Sequence, residues 1–312
     1  MNSKTRQWSG FDHDALLYLL WVCRRLPAGC WWGRWVEVVV RVAGTVRWAG
    51  LATGVRVPYG EHGDADGVPV VFLHPYADSH RFFELALPYL PAGIHAYLPT
   101  QRGHGDADKP PSGYSLDDLS GDVAAFLDAV GVHRAVVVGH SSGGYVAQRF
   151  ALDHPDRVLG LVLVGAPRSL HGRRAPFADA VQAMRDPVDP DLVRHVFGTI
   201  PLIRPVPAAF VEAMITESAK VPAGVWRTAL AELTAAVPPT DTATITVSTL
   251  ILWGEHDGVL RNEQEALAAA IPGSRLIGYP DTGHLIVWER PRQVAADIAA
   301  FTTQFAYRQW TR

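Results

Sequence analysis

A serine sits at the apex of Gly139-His140-Ser141-Ser142-Gly143-Gly144. The run before it, Ala135-Val136-Val137-Val138, is apolar and β-branched. The run after it, Tyr145 to Phe150, can continue as a helix. Strand, tight turn and helix in that order, at G-x-S-x-G spacing, make a nucleophile elbow. The turn has to be sharp for the hydroxyl to point outward. Gly139 and Gly143 let the two backbones approach, and His140 supports the turn from inside. The five-residue pattern alone equally describes a glycine-rich turn around a buried serine. The strand-to-helix setting is what favours a reactive one.

A serine hydroxyl attacks poorly until a base removes its proton, and an acid must hold that base in the correct tautomer. Partners are sought in loops at the carboxyl ends of strands, where ligands bind in open α/β sheets. Gly254-Glu255-His256-Asp257 directly follows the apolar run Leu250-Ile251-Leu252-Trp253, and Asp257 is the expected acid. Glu255 competes but lies nearer the strand end. Asp257 also suits a helix N-cap. Asp281-Thr282-Gly283-His284 follows the last strand, and His284 is the expected base. The chain has 13 histidines, most of them expected at the surface; position after the final strand singles this one out. An oxyanion needs two aimed donors. The N–H of Ser142 supplies one. The other comes from His74-Pro75-Tyr76, where Pro75 has no N–H and Tyr76 is the expected donor, with His74 supporting the loop.

The elements that must carry these groups alternate. Val46–Thr53 and Val55–Tyr59 read as strands joined at Gly54, followed by a polar loop from Gly60 to Gly67. Val68 to Leu73 is a fully apolar strand, as in the middle of a parallel sheet. His80 to Leu87 reads as helix, Ile94 to Leu98 as strand, and Leu116 to Val130 as an amphipathic helix. The elbow helix runs to Asp153, and Leu159 to Val164 is a further strand. From 168 to 240 the rhythm breaks into short helical pieces rich in Ala, Pro, Phe and Met, with prolines between Pro187 and Pro222 cutting them short. That stretch reads as a helical lid inserted into the core formed by 43–167 and 241–312. Strand Leu250–Trp253, helix Glu263–Ala270, strand Arg275–Tyr279 and a last helix opened by Pro291 complete a mostly parallel sheet with helices on both faces.

Bulk composition narrows the function class. The chain has 312 residues, 48% hydrophobic and 19% charged, with formal net charge −3 and no basic run. A large core is affordable, disorder is disfavoured, and nucleic acid is not an expected partner. Cys23 and Cys30 match no metal spacing and build no disulfide framework, so a reducing, cytoplasmic setting is the simplest expectation. The apolar stretch Ala15–Cys23 is too short to span a bilayer and is flanked the wrong way for a signal peptide. Residues 1–42 read as an extension. Its apolar face (Leu16, Leu17, Leu19, Leu20, Trp21) and the cluster Trp31, Trp32, Trp35 beside Arg34 fit a segment packed on the domain surface or a dimer contact, or a weak membrane-surface contact.

Across about 46–306 the chain resembles the α/β-hydrolase superfamily. The resemblance rests on Leu73-His74-Pro75, Gln101-Arg102-Gly103-His104-Gly105, the elbow, Gly254-Glu255-His256-Asp257 and Gly283-His284. The order Ser141, Asp257, His284 is the one that superfamily uses. It implies an α/β-hydrolase fold and places the chain near the lidded group of epoxide hydrolases, haloalkane dehalogenases, C–C bond hydrolases, lactonases and small-substrate esterases. Two positions depart from the pattern: the family usually has His-Gly where this chain has His74-Pro75, and often Asp where it has Thr100. Arg102 and His104 are expected to stabilise their turn. Dehalogenases and epoxide hydrolases of this type carry aspartate at the elbow, so Ser141 implies acyl transfer on a small, largely apolar ester or lactone, without metal or cofactor. C–C bond hydrolysis, perhydrolysis and hydroxynitrile lyase chemistry use a similar triad. A weakly catalytic ligand-binding sensor is the alternative of a different class.

Overall fold

The computed structural model describes residues 46–260 and 263–306. The helical and tryptophan-rich pattern expected for residues 1–42 and both cysteines lie outside the described residues. Eight strands form one sheet: β1 (Arg47–Gly50), β2 (Arg56–His62), β3 (Val68–Leu73), β4 (Ile94–Pro99), β5 (Ala135–His140), β6 (Val158–Val164), β7 (Thr249–Gly254) and β8 (Arg275–Tyr279). Their spatial order is β1-β2-β4-β3-β5-β6-β7-β8. β1 and β2 are antiparallel to their neighbours, and all pairs from β4–β3 to β7–β8 are parallel.

The sheet's alternation divides the core in two. Val71, Leu73, Val137, Leu161, Leu163 and Ile251 face one layer, with Phe126 of helix α1 (Leu116–Ala129), Tyr145 and Phe150 of α2 (Ser142–Asp153). Val70, Phe72, Val136, Val138, Val162 and Leu252 face the other. Both faces of β5 are buried, which is why it reads as an unbroken apolar run. α1 opens on a capping box: Ser115 and Asp118 satisfy each other's backbone N–H.

Between β6 and β7 the chain makes five helices: α3 (Ala178–Ala183), α4 (Pro190–Gly198), α5 (Ala208–Ala219), α6 (Ala223–Ala235) and α7 (Pro239–Thr242). Their own apolar cluster holds Val181, Met184, Val193, Ile215 and Trp226. The prolines act here mainly as starters. Pro190 is a first-turn residue, and Pro207 and Pro222 stand at the N-caps of α5 and α6, where a missing N–H costs nothing. After β7 come α8 (Glu263–Ala270), α9 (Ile286–Glu289) and α10 (Pro291–Ala306). Val294 and Ile298 of α10 join the second core layer.

Three local expectations are corrected. The strand expected over Val46–Thr53 is only Arg47–Gly50, because the chain turns at Leu51–Gly54, closed by the Gly54 N–H on the Leu51 carbonyl at 2.9 Å. β2 extends to His62, so the loop expected from Gly60 starts later: Gly60, Glu61 and His62 pair with Leu98, Tyr97 and Ala96. Glu61 is polar but finds partners there in His95 (2.7 Å) and Arg47 (2.8 Å). The expected helix His80–Leu87 is instead two 3-10 turns, His80–Phe83 and Leu87–Tyr89. Bonds such as Glu84 N–H to the Arg81 carbonyl close i to i+3, and Pro88 cannot donate to a continuing α-helix.

Candidate active site

β5 ends at His140 and α2 begins at Ser142, leaving Ser141 alone at the bend. Its φ is +51° and ψ −122°, a region a side-chain-bearing residue rarely occupies. Such a residue costs on the order of 1–3 kcal/mol and persists only when its surroundings impose it. The flanking glycines show what imposes it. A Cβ at Gly143 would meet the Leu73 carbonyl oxygen at 2.3 Å, and one at Gly139 would meet the Gly143 carbonyl oxygen at 2.4 Å. Strand β3, strand β5 and helix α2 thus touch through bare backbone.

Residues 143 positions apart converge on this bend. His284 Nε2 lies 3.0 Å from Ser141 Oγ. On the ring's far side, Nδ1 is 2.8 Å from Asp257 Oδ2. With Nδ1 donating to the carboxylate, the Nε2 lone pair accepts from the serine hydroxyl. Asp257 is buried, and its other oxygen accepts the N–H groups of Val259 (2.8 Å) and Leu260 (3.0 Å). That second oxygen closes a local turn and does not cap the expected helix, which starts only at Glu263. Burial alone would push this carboxyl up. The His284 charge and hydrogen bond and the Leu260 and Val259 N–H groups outweigh it and hold Asp257 below the usual carboxylate value. Glu255 is exposed and its backbone N–H bonds the Tyr279 carbonyl, so it is not brought to His284.

His140 is fully buried and its Nε2 donates to the His284 carbonyl at 3.1 Å, fixing the backbone of the histidine loop. Burial, and then the neighbouring His284, drive its pKa well below the ordinary imidazole value, so it is neutral. His74 Nδ1 donates to the Pro75 carbonyl (2.8 Å) and its Nε2 accepts the Gln101 N–H (2.9 Å), tying the loop after β3 to the loop after β4. Arg102 grips Asp122 of α1 with two contacts of 2.5 Å, and His104 Nδ1 donates to the Arg102 carbonyl at 2.8 Å. Thr100, where aspartate is common, bonds His80 through both its backbone N–H (3.1 Å) and Nδ1 (2.8 Å).

The two expected oxyanion donors are adjacent, with one difference from expectation. The Tyr76 N–H already donates to the Ser142 hydroxyl, at 2.6 Å. Tyr76 also spans outward: its hydroxyl donates to the Trp226 carbonyl of α6 at 2.5 Å, and its ring stacks on Phe177. Ala77, next along, has φ +65° in a turn closed by the Asp78 N–H on the Pro75 carbonyl at 3.3 Å.

Ser141, His284, Tyr76 and Ser142 open into a cavity of about 410 Å³. Its roof comes from the insertion: Phe177, Val196, Phe197, Ile200, Trp226 and Leu230. Apart from the histidines His140 and His284, its acidic and basic wall residues are Asp78, Arg173 and Arg174. Among the described residues no group of three His, Cys, Asp or Glu side chains could hold a metal ion, and no helix is long and apolar enough to cross a membrane.

Two residues escaped the sequence reading. Glu289 of α9 is buried and accepts the N–H of Gly283 (3.1 Å), and those of Ile203 (3.2 Å) and Arg204 (2.9 Å) in the insertion. The sole signal was an acid five residues beyond His284. Asp78 is also buried; its place directly after the oxyanion loop was the cue.

The chain belongs to the alpha/beta hydrolase family, whose model matches residues 70–297. It is 38% identical over 115 residues to a non-heme chloroperoxidase of Streptomyces lividans, covering 36% of this chain and 42% of that protein. It is 37% identical over 134 residues to a putative carbamate hydrolase RutD of Variovorax paradoxus, covering 42% of this chain and 50% of that protein. These matches thus span half or less of each relative. Among solved structures, an esterase RhEst1 from Rhodococcus sp. ECU1013 superposes with a TM-score of 0.72 at 28% identity, over 83% of this chain and 98% of that one.

Proposed function

We propose that the protein is a serine hydrolase that cleaves a small, largely apolar ester or lactone through an acyl-enzyme on Ser141. The observation that carries this reading is the continuous contact from Ser141 Oγ to His284 Nε2 and from His284 Nδ1 to Asp257 Oδ2, at 3.0 and 2.8 Å. Ser141 attacks the carbonyl carbon while His284 takes its proton. The Ser142 and Tyr76 N–H groups receive the oxyanion once the Ser142 hydroxyl turns away. His284 then protonates the leaving alcohol, and the charge of Asp257 stabilises the imidazolium in between. Water, activated by the same histidine, hydrolyses the ester on Ser141 and restores the hydroxyl. The insertion acts as a lid whose mainly apolar underside selects apolar acyl chains.

The structural likeness to an esterase supports this reading. The likeness to a non-heme chloroperoxidase favours a second one, in which peroxide replaces water as acyl acceptor on the same serine. Purified protein assayed with p-nitrophenyl butyrate, alone and with hydrogen peroxide, separates the two. Ser141→Ala is expected to abolish ester turnover and fluorophosphonate labelling while the circular dichroism spectrum is kept. Full activity of that variant would refute both.

A further inference from the structure

Asp78 is 5% exposed and lines the same cavity as Ser141 and His284. Its Oδ1 is sealed off with no hydrogen-bond partner among the described residues, so Oδ2, which also has no partner there, is the oxygen left for a ligand in the cavity. A carboxyl group in that state is unusual, because a buried polar group left unpaired is costly. Among the described residues no cation is paired with it, and Glu217 of α5 repels a carboxylate there. Arg81 and Lys220 are engaged with Glu217, at 3.7 and 2.8 Å. His80 points its Nδ1 at Thr100. Arg173 and Arg174, on the cavity wall, are paired with Glu263 and Asp179. Burial first, and Glu217 second, push the Asp78 carboxyl well above its ordinary value, which favours its protonated, hydrogen-bond-donating form. Ala77, in the turn that leads from Tyr76 to Asp78, holds a left-handed φ of +65° where glycine is usual.

We propose that Asp78 is a specificity-determining residue, whose cavity-lining carboxyl group donates a hydrogen bond to a second, uncharged oxygen of the substrate, a hydroxyl, ether or ketone beside the ester or lactone carbonyl. The substrate class is thus an oxygenated acyl ester or lactone rather than a plain hydrocarbon one. This rests on the serine-hydrolase reading. A site with a buried polar group made to meet a substrate oxygen discriminates strongly against the analogue lacking it, because that group is then left unpaired.

The test uses the whole 312-residue chain and p-nitrophenyl esters in matched pairs: methoxyacetate against butyrate, 3-methoxypropanoate against pentanoate, and 4-methoxybutanoate against hexanoate. The ratio of kcat/KM within each pair, in wild type relative to Asp78→Leu, cancels intrinsic reactivity. At least one pair is expected to lose about tenfold or more of its preference for the ether in Asp78→Leu, and Asp78→Asn, which keeps a neutral donor, is expected to restore most of it. Asp78→Leu is also expected to raise the melting temperature, since it removes an unpaired polar group from the interior. Unchanged ratios in every pair, or a lowered melting temperature in both variants, would overturn the assignment. So would an Asp78-dependent preference for an ester bearing a trimethylammonium group, which would make Asp78 a cation site. Fluorophosphonate labelling of wild-type Ser141 is read in parallel. Failure to label sinks the hydrolase reading; labelling with unchanged ratios sinks this inference alone.

Discussion

The backbone N–H of Tyr76 donates to the side-chain hydroxyl of Ser142 across 2.6 Å, joining the loop after β3 to the first residue of α2. On the proposed mechanism, the donor for the developing negative charge is therefore occupied at rest. A net hydrogen bond of this kind is worth about 0.5–1.5 kcal/mol. Ser142→Ala frees the donor and is expected to raise kcat for p-nitrophenyl butyrate by about 2- to 10-fold, with little change in KM. A fall in kcat would show instead that the hydroxyl holds Tyr76 in place.

Asp257, and not Glu255, is expected to set the histidine's tautomer. Asp257→Asn presents an amide to Nδ1 and is expected to lower kcat by about 10³–10⁴-fold. Glu255→Gln is expected to leave kcat within about twofold, as for a surface change away from the site. Steady-state kinetics on the two variants side by side decides it.

Glu289 collects N–H groups from the histidine loop and from the insertion. Replacing one carboxylate oxygen by an amide NH₂ sets donor against donor. Glu289→Gln is expected to cost about 1–3 kcal/mol of stability in urea denaturation. It is also expected to lower kcat, because Gly283 precedes the base.

The interior histidines give the fold an acid limit. Burial lowers the pKa of His104 to about 4 from an ordinary 6.5. The unfolded chain therefore binds more protons than the folded one between those values. Stability from this group is complete above about pH 6.5 and is lost as pH falls toward 4. His104 alone is expected to remove about 2 kcal/mol between pH 7 and pH 5. The buried, neutral His74 and His140 act in the same direction. Urea titrations at the two pH values, on wild type and His104→Gln, measure the difference; an equal loss in both would dismiss the role of His104.

A methyl group at 143 has nowhere to go, since the atoms it would strike at 2.3 and 2.6 Å are the carbonyl oxygens of Leu73 and His74. Backbone in the middle of a sheet does not yield as a flexible side chain would. Gly143→Ala is expected to lower the melting temperature sharply and to prevent fluorophosphonate labelling. Gly224→Ala, at a helical glycine with open space around it, serves as the control.

The parts of the site legible in the sequence were those fixed by local rules. Ser141 was visible because a strand, a turn and a helix follow one another within a few residues, Asp257 because its segment directly follows an apolar run, and His284 because its segment follows the last strand. Tyr76 followed from the missing N–H of Pro75. What local pattern could not supply was tertiary competition. The Ser142 hydroxyl reaches Tyr76 from 66 positions away. Glu289 serves N–H groups more than 80 positions distant. The burial of Asp78 depends on α5, which contributes Glu217. Polar strand ends misled for a similar reason: Glu61 looks like loop until His95 and Arg47 arrive to pair with it.

Helices α3 to α7 all depart after β6 and return before β7, and none of Ser141, Asp257 or His284 lies among them. On the serine-hydrolase proposal, the roof is a separate insertion at a single crossover, and changes in it are expected to alter which acyl groups enter while leaving the proton relay beneath unchanged. One tether limits that freedom, for the hydroxyl of Tyr76 hangs from the main chain of Trp226. Any replacement roof has to offer a carbonyl at that spot to keep the oxyanion loop in register.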